Sequence, residues 1–117
     1  MQRTDRISEE MKKELSHIIQ NELKDPRLDV MISVVHVDVT NDLSYAKVYV
    51  SVLADDDKKN EAIKGLKSAA GFVRKEIGRR MNLRHTPEIL FEKDNSIEYG
   101  AHMAELIKKT VENDENK

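Results

Sequence analysis

Four residues, Asn41-Asp42-Leu43-Ser44, separate two runs rich in β-branched residues, and no other feature constrains this chain as much. The first run, Val30 to Thr40, carries Val30, Ile32, Val34, Val35, Val37, Val39 and Thr40; the second, Tyr45 to Leu53, carries Val48, Val50 and Val52. β-Branched side chains suit a pleated surface, and Asn, Asp and Ser suit a turn. So short a link predicts an antiparallel hairpin. Strict alternation places Val35, Val37 and Val39 on one face of the first strand and Ile32, Val34, His36 and Asp38 on the other. On the second strand Ala46, Val48, Val50 and Val52 oppose Tyr45, Lys47, Tyr49 and Ser51. One apolar face and one increasingly polar face suit a sheet covered by helices on a single side.

The flanking segments supply those helices. Ile7, Met11, Leu15, Ile18, Ile19 and Leu23 recur at the helical period and predict a helix over residues 4 to 24, capped by Thr4 or Asp5. Pro26 stops it and makes Asp25-Pro26-Arg27 an ordered turn rather than a linker. Asp55-Asp56-Asp57 opens the next helix, where carboxylates favour the positive end of the dipole. No calcium loop fits there, since the required glycine and bidentate glutamate are missing. From Ile63 to Arg84 two short helices meet at Ser68-Ala69-Ala70-Gly71, with Ile63, Leu66, Ala69 or Ala70, Val73, Ile77 and Met81 as the buried stripe.

Pro87 begins a third extended segment, Glu88 to Glu92, with Ile89 and Phe91 on one face; Phe72 and Phe91 both read as core. Ser96 caps a last helix to about Val111, packing Met103, Leu106, Ile107 and Val111 inward, and residues 112–117 read as a disordered tail. The order α-β-β-α-α-β-α defines an α+β domain with a three-stranded sheet and helices on one face. With 117 residues, the expectation is a single domain over 1–111.

The chain has no cysteine, which excludes disulfides and thiolate metal sites. No apolar run approaches a membrane span, and no signal peptide is visible at the start, so the expectation is a cytoplasmic monomer. Net charge is −2, from 20 basic and 22 acidic residues, yet the charges are unevenly placed. Lys64, Lys67, Arg74, Lys75, Arg79, Arg80 and Arg84, followed by His85, share one stretch with a single acid, Glu76. That distribution predicts a positive face able to hold a nucleic-acid backbone, most readily RNA. Arg74, Lys75, Arg79, Arg80 and Arg84 are its centre, Lys64 and Lys67 extend it across the helix junction, and Lys47 is an outlying contributor from the sheet. Gly71 is read as serving close packing or the kink, and Gly78 as serving close packing. Tyr45 and Tyr49 read as covered by a helix or lying at its edge rather than as base-stacking residues.

The motifs Asp25-Pro26-Arg27, Ala46-Lys47-Val48-Tyr49-Val50-Ser51, Ser68-Ala69-Ala70-Gly71, Phe72 to Arg84, Thr86-Pro87-Glu88-Ile89 and Ile97-Glu98-Tyr99-Gly100 stand in the order found in one family. Over roughly residues 4 to 110 the chain closely resembles ribosome-binding factor A. The resemblance implies a KH-like fold of type II. In place of the GXXG loop that grips single strands in ordinary KH domains, it implies an Ala-x-Gly kink, here Ala69-Ala70-Gly71. It further implies a non-enzymatic factor that binds the immature small (30S) ribosomal subunit and its precursor rRNA. Such a factor assists late maturation and 5′-end processing of the 16S rRNA and supports growth in the cold; whether it also touches ribosomal proteins is left open.

Enzymatic alternatives find little support in the residues. His17, His36, His85 and His102 do not pair at metal-ligand spacing, and no nucleophile elbow, Walker loop or dinucleotide glycine pattern is present. No cofactor, metal or catalytic residue is expected. The other open reading is a protein–protein adaptor that uses the hairpin face or the first helix and does not touch RNA.

Overall fold

The computed structural model describes residues 3–94. Its elements run α1 (Arg3–Asn21), a 3₁₀ turn (Pro26–Leu28), β1 (Met31–Val39), β2 (Tyr45–Leu53), α2 (Asp56–Ser68), α3 (Ala70–Met81) and β3 (Glu88–Lys93). The expected last helix and the tail after it lie outside the described residues. Within them the order is the one expected, and α1 is shorter than predicted at its C-terminal end. There the Asn21 side-chain amide donates back to the His17 carbonyl at 3.2 Å, and the Glu22 and Leu23 N–H groups both donate to the Ile18 carbonyl. Thr4 and Asp5 lie inside the first turn of α1 instead of capping it.

The sheet has the order β1-β2-β3, with β1 antiparallel and β3 parallel to the central β2. Parallel neighbours need a crossover, and α2 with α3 supplies it. α1 packs on β1, α3 on both α1 and β3, and α2 on β3 and on the 3₁₀ turn. The core lies between these helices and one sheet face. Met11, Leu15 and Ile18 of α1 meet Leu66, Val73 and Ile77 of α2 and α3 there, together with Val48, Val50 and Phe91 of the sheet, all at most 2% exposed. Each such apolar side chain contributes roughly 1.5–3 kcal/mol by leaving water.

The expected facing of β1 is half corrected. The register shifts between Val34 and His36. This bulge spends one residue, Val35, and reverses the alternation after it. Ile32, Val34, Val37 and Val39 are all buried, while Val35 and His36 are exposed. A bulge is invisible to a strict period of two, because Val35 is as apolar as its neighbours. β2 follows its expected faces, and its uncovered side carries Tyr45, Lys47 and Tyr49. Tyr45 is 46% exposed, and Tyr49 stacks on His36 with ring centroids 6.0 Å apart, so among the described residues no helix covers this face.

The turns are built from local side-chain bonds. Asp25 accepts from the Arg27 N–H at 2.9 Å and from its guanidinium at 2.6 Å. The hydrogen bond from the Arg27 side chain is the main cause that holds the Asp25 carboxyl below its ordinary range. Gly65 lets α2 sit on this turn, since a Cβ there would stand 3.1 Å from Leu28 and 3.3 Å from the Asp25 carboxylate. In the hairpin, Asp42 accepts from the Ser44 N–H at 3.0 Å and from the Thr40 hydroxyl at 2.9 Å. Leu43 adopts φ 60°, unusual for a branched side chain, and is held there by burial at 6% exposure. Asp55 caps α2 as expected, accepting from the Lys58 N–H at 2.9 Å.

Candidate nucleic-acid interface

The two basic helices meet at one residue. Ala69 ends α2 and begins α3 with φ −87° and ψ −2°. Its N–H is shared between the Gly65 and Leu66 carbonyls at 3.1 Å each, and its own carbonyl accepts from the Val73 N–H at 2.9 Å. The kink is therefore carried by Ala69, with Ala69 and Ala70 half-buried against the core. Gly71 has no part in it: its φ is not positive, and a Cβ added there would meet nothing within 4 Å. Neither structural reason expected for Gly71 holds. Gly78, two turns on, does serve close packing, since a Cβ there would lie 2.7 Å from the Thr86 hydroxyl.

That packing creates a hollow. Asn82 closes α3 in the left-handed conformation, φ 49° and ψ 47°, which asparagine tolerates better than most residues. The chain turns back, and residues 83–86 lie along α3 at Gly78. Arg74 fixes the arrangement by donating to the Thr86 carbonyl at 3.1 Å. The result is a concavity of about 530 Å³ lined by Gly71, Arg74, Lys75, Gly78, Leu83, Arg84, His85 and Thr86. Among the described residues no carboxylate lines it. Gly71, Lys75 and Gly78 fall on one face by helical spacing, and no side chain caps the start of α3 beside them. Arg84 and His85 also face a second hollow with Asn41 and Asp42. The Asp42 carboxylate there is already occupied by Ser44 and Thr40, and the Ser44 backbone bond is the main cause holding it below its ordinary range.

The sequence-predicted cations do not all share this place. Arg74, Lys75, Arg84 and His85 converge. Lys67 is exposed near the end of α2 with no carboxylate partner among the described residues, and Lys64 pairs loosely with Glu61 at 3.5 Å. Arg79 is exposed but bound to Glu76 at 2.6 Å. Lys47 stands on the open sheet face, opposite the helices. Arg80 departs most from expectation. Its side chain is only 20% exposed and is gripped by Glu76 at 3.2 Å, Glu14 at 3.6 Å and Glu22. Glu14 comes from α1 and Glu22 from the turn that ends it, both far away in sequence, so Arg80 joins α3 to α1 and is not available to a phosphate. Its guanidinium is held charged above all by the Glu22 hydrogen bond. Glu76 is held below the ordinary carboxylate range, chiefly by the Arg79 hydrogen bond, with Arg80 adding to it.

Phe72 was expected in the core and is 45% exposed. It sits one residue off the Val73–Ile77 stripe, about 100° around the helix, beside Glu76. That offset was readable in the sequence. Among the described residues no three His, Asp or Glu side chains gather at metal-binding distance. No described helix is long and apolar enough to cross a membrane.

Fold and site together define a small KH-like α+β domain with a cationic hollow beside the junction of its paired helices. The ribosome-binding factor A profile matches residues 3–107. The Acetivibrio thermocellus ribosome-binding factor A is 63% identical over 110 residues, 94% of this chain and 89% of that protein. The chain belongs to the ribosome-binding factor A family. Its fold is similar to the crystal structure of ribosome-binding factor A from Thermus thermophilus, with TM-score 0.68, 27% identity, and 77% of this chain and 94% of that one covered. A homology model of the Thermus thermophilus factor, fitted into a cryo-EM map of a 30S complex, is also similar, with TM-score 0.62, 26% identity and coverages of 75% and 91%.

Proposed function

We propose that this chain is a non-enzymatic RNA-binding assembly factor of the small ribosomal subunit, acting late in the subunit's maturation. The carrying observation is the acid-free hollow in which Arg74, Lys75, Arg84 and His85 converge. In a protein of net charge −2, such local convergence suits a phosphate backbone. Lys67, Lys64 and Arg79 form the rim of the RNA site, with Arg79 shared with Glu76. Lys47 and Arg80 contribute no phosphate contact in this reading. The open position of Gly71 allows the backbone of a ligand to approach α3, and the exposed Phe72 ring offers a surface on which a base can stack. Phosphate contacts set register without reading sequence, so RNA shape decides the target. The likeness to a factor fitted on the 30S particle supports the small subunit and its precursor rRNA as the partner. Assistance to 5′-end processing of the 16S rRNA, a role in cold adaptation, contacts with ribosomal proteins, and action as a cytoplasmic monomer complete the reading.

The test is co-sedimentation with purified small subunits and their precursors across a salt series. Three to four phosphate contacts predict that log K falls against log salt with a slope of roughly −2 to −4. An adaptor that never touches RNA predicts a shallow slope and indifference to charge reversal at Arg74 and Arg84; that result would end the RNA assignment.

A further inference from the structure

β1 is an edge strand: it pairs with β2 and, among the described residues, with nothing on its other side. Its outward groups follow from the register. The Thr40 N–H donates to the Tyr45 carbonyl at 3.0 Å, and bonded pairs alternate along an antiparallel ladder. Asp38 with Lys47 and His36 with Tyr49 are therefore the bonded pairs, and Val37 with Val48 and Val39 with Ala46 are the unbonded ones. Val37 and Val39 turn their N–H and C=O groups away from β2. Beside them runs a groove of about 670 Å³ between β1 and the first half of α1.

We propose that this groove docks an extended, basic peptide segment of a protein partner, added as a fourth strand along Val37 to Val39. The unpaired backbone asks for an extended chain, because strand addition satisfies the donor and acceptor rows together. The charges ask for a basic one. Side chains of an added strand alternate between faces. Those facing α1 meet Glu9, and those facing the open side meet Asp38, against Lys12 as the one cation that lines the groove among the described residues. Phosphates would face the same carboxylates, which disfavours RNA here and separates this site from the cationic hollow. The bulge at Val35 ends the usable edge and fixes the register of the guest. The opposite edge, β3, is shorter at six residues, and the groove at its end holds only about 120 Å³.

The full ¹⁵N-labelled chain is titrated with a peptide of about eight residues alternating Val and Lys, and with the same peptide carrying Pro at the Val positions. The amide signals of Val37 and Val39 shift saturably with the first peptide, and their hydrogen exchange slows roughly tenfold. The Pro peptide, which lacks the donors, leaves them unchanged. Glu9→Gln with Asp38→Asn, both at exposed positions, weakens binding roughly three- to tenfold with unchanged melting, while Arg74→Glu with Arg84→Glu leaves it intact. The proposal is overturned if protection falls on β3 instead, if the Pro peptide binds equally well, or if a uridine-rich oligonucleotide protects the same two amides.

Discussion

Arg74 and Arg80 stand on the same helix, α3, with the same guanidinium, yet their surroundings differ completely. Arg80 faces α1 and is enclosed by Glu14, Glu22 and Glu76. Arg74 faces outward, bonds only to the Thr86 carbonyl among the described residues, and shares a hollow with Lys75, Arg84 and His85. One arginine holds two helices together, and the other lies exposed beside further cations. The distribution of carboxylates decides between these uses, and that distribution is set by which helices pack together. The glycines repeat the contrast: Gly78 is required by the chain folded against it, and Gly71 is required by nothing in the fold.

The sharpest way to break the comparison is charge reversal. Arg74→Glu with Arg84→Glu is expected to weaken association with the small subunit on the order of a hundredfold at low salt, with the melting temperature lowered only by the loss of the single Arg74–Thr86 bond, about 1 kcal/mol. Arg80→Glu sets a fourth carboxylate among three and is expected to show the reverse pattern. Its melting temperature falls clearly, and subunit binding follows only the folded fraction. Parallel thermal melts and sedimentation separate the two; if Arg80→Glu melts normally and loses binding, the division drawn here is wrong.

Smaller effects sharpen it. Gly78→Val forces side-chain atoms against Thr86 and is expected to cost roughly 1–3 kcal/mol by denaturant titration. Gly71→Ala enters open space and is expected to change stability by no more than about 0.5 kcal/mol. Its affinity for the subunit, measured in the same sedimentation assay, drops if a backbone approaches there and holds if none does.

The smallest effect concerns acid. Glu76 is held below its ordinary range in the folded chain. Between the unfolded value, about 4.3, and that lower folded value, the unfolded state binds more protons. Stability is therefore fully present above about pH 4.3 and is lost as pH falls through the folded value. Melting curves from neutral to acidic pH should fall less steeply for Glu76→Gln than for the parent chain.

Much of this molecule is local enough to read from its residues. The hairpin, the Asp55 cap, the ordered turn at Asp25-Pro26-Arg27 and the inward faces of β2 and β3 each depend on neighbours a few positions away, and all stand as expected. The concentration of cations between Lys64 and His85 was equally plain, as was the resemblance carried by the motifs around it. The sequence could not show which cations remain unpaired. Arg80 meets Glu14 and Glu22 only because α1 packs on α3, and Glu22 lies 58 residues away. The bulge at Val35, the exposure of Tyr45 and the hollow closed by residues 83–86 against Gly78 have the same origin. Period and propensity are properties of a short segment, so the chain itself determined its elements and its surplus of positive charge. Pairing and enclosure are properties of surfaces brought together from distant segments, and only the packed structure decided which of those charges are enclosed by carboxylates and which are exposed.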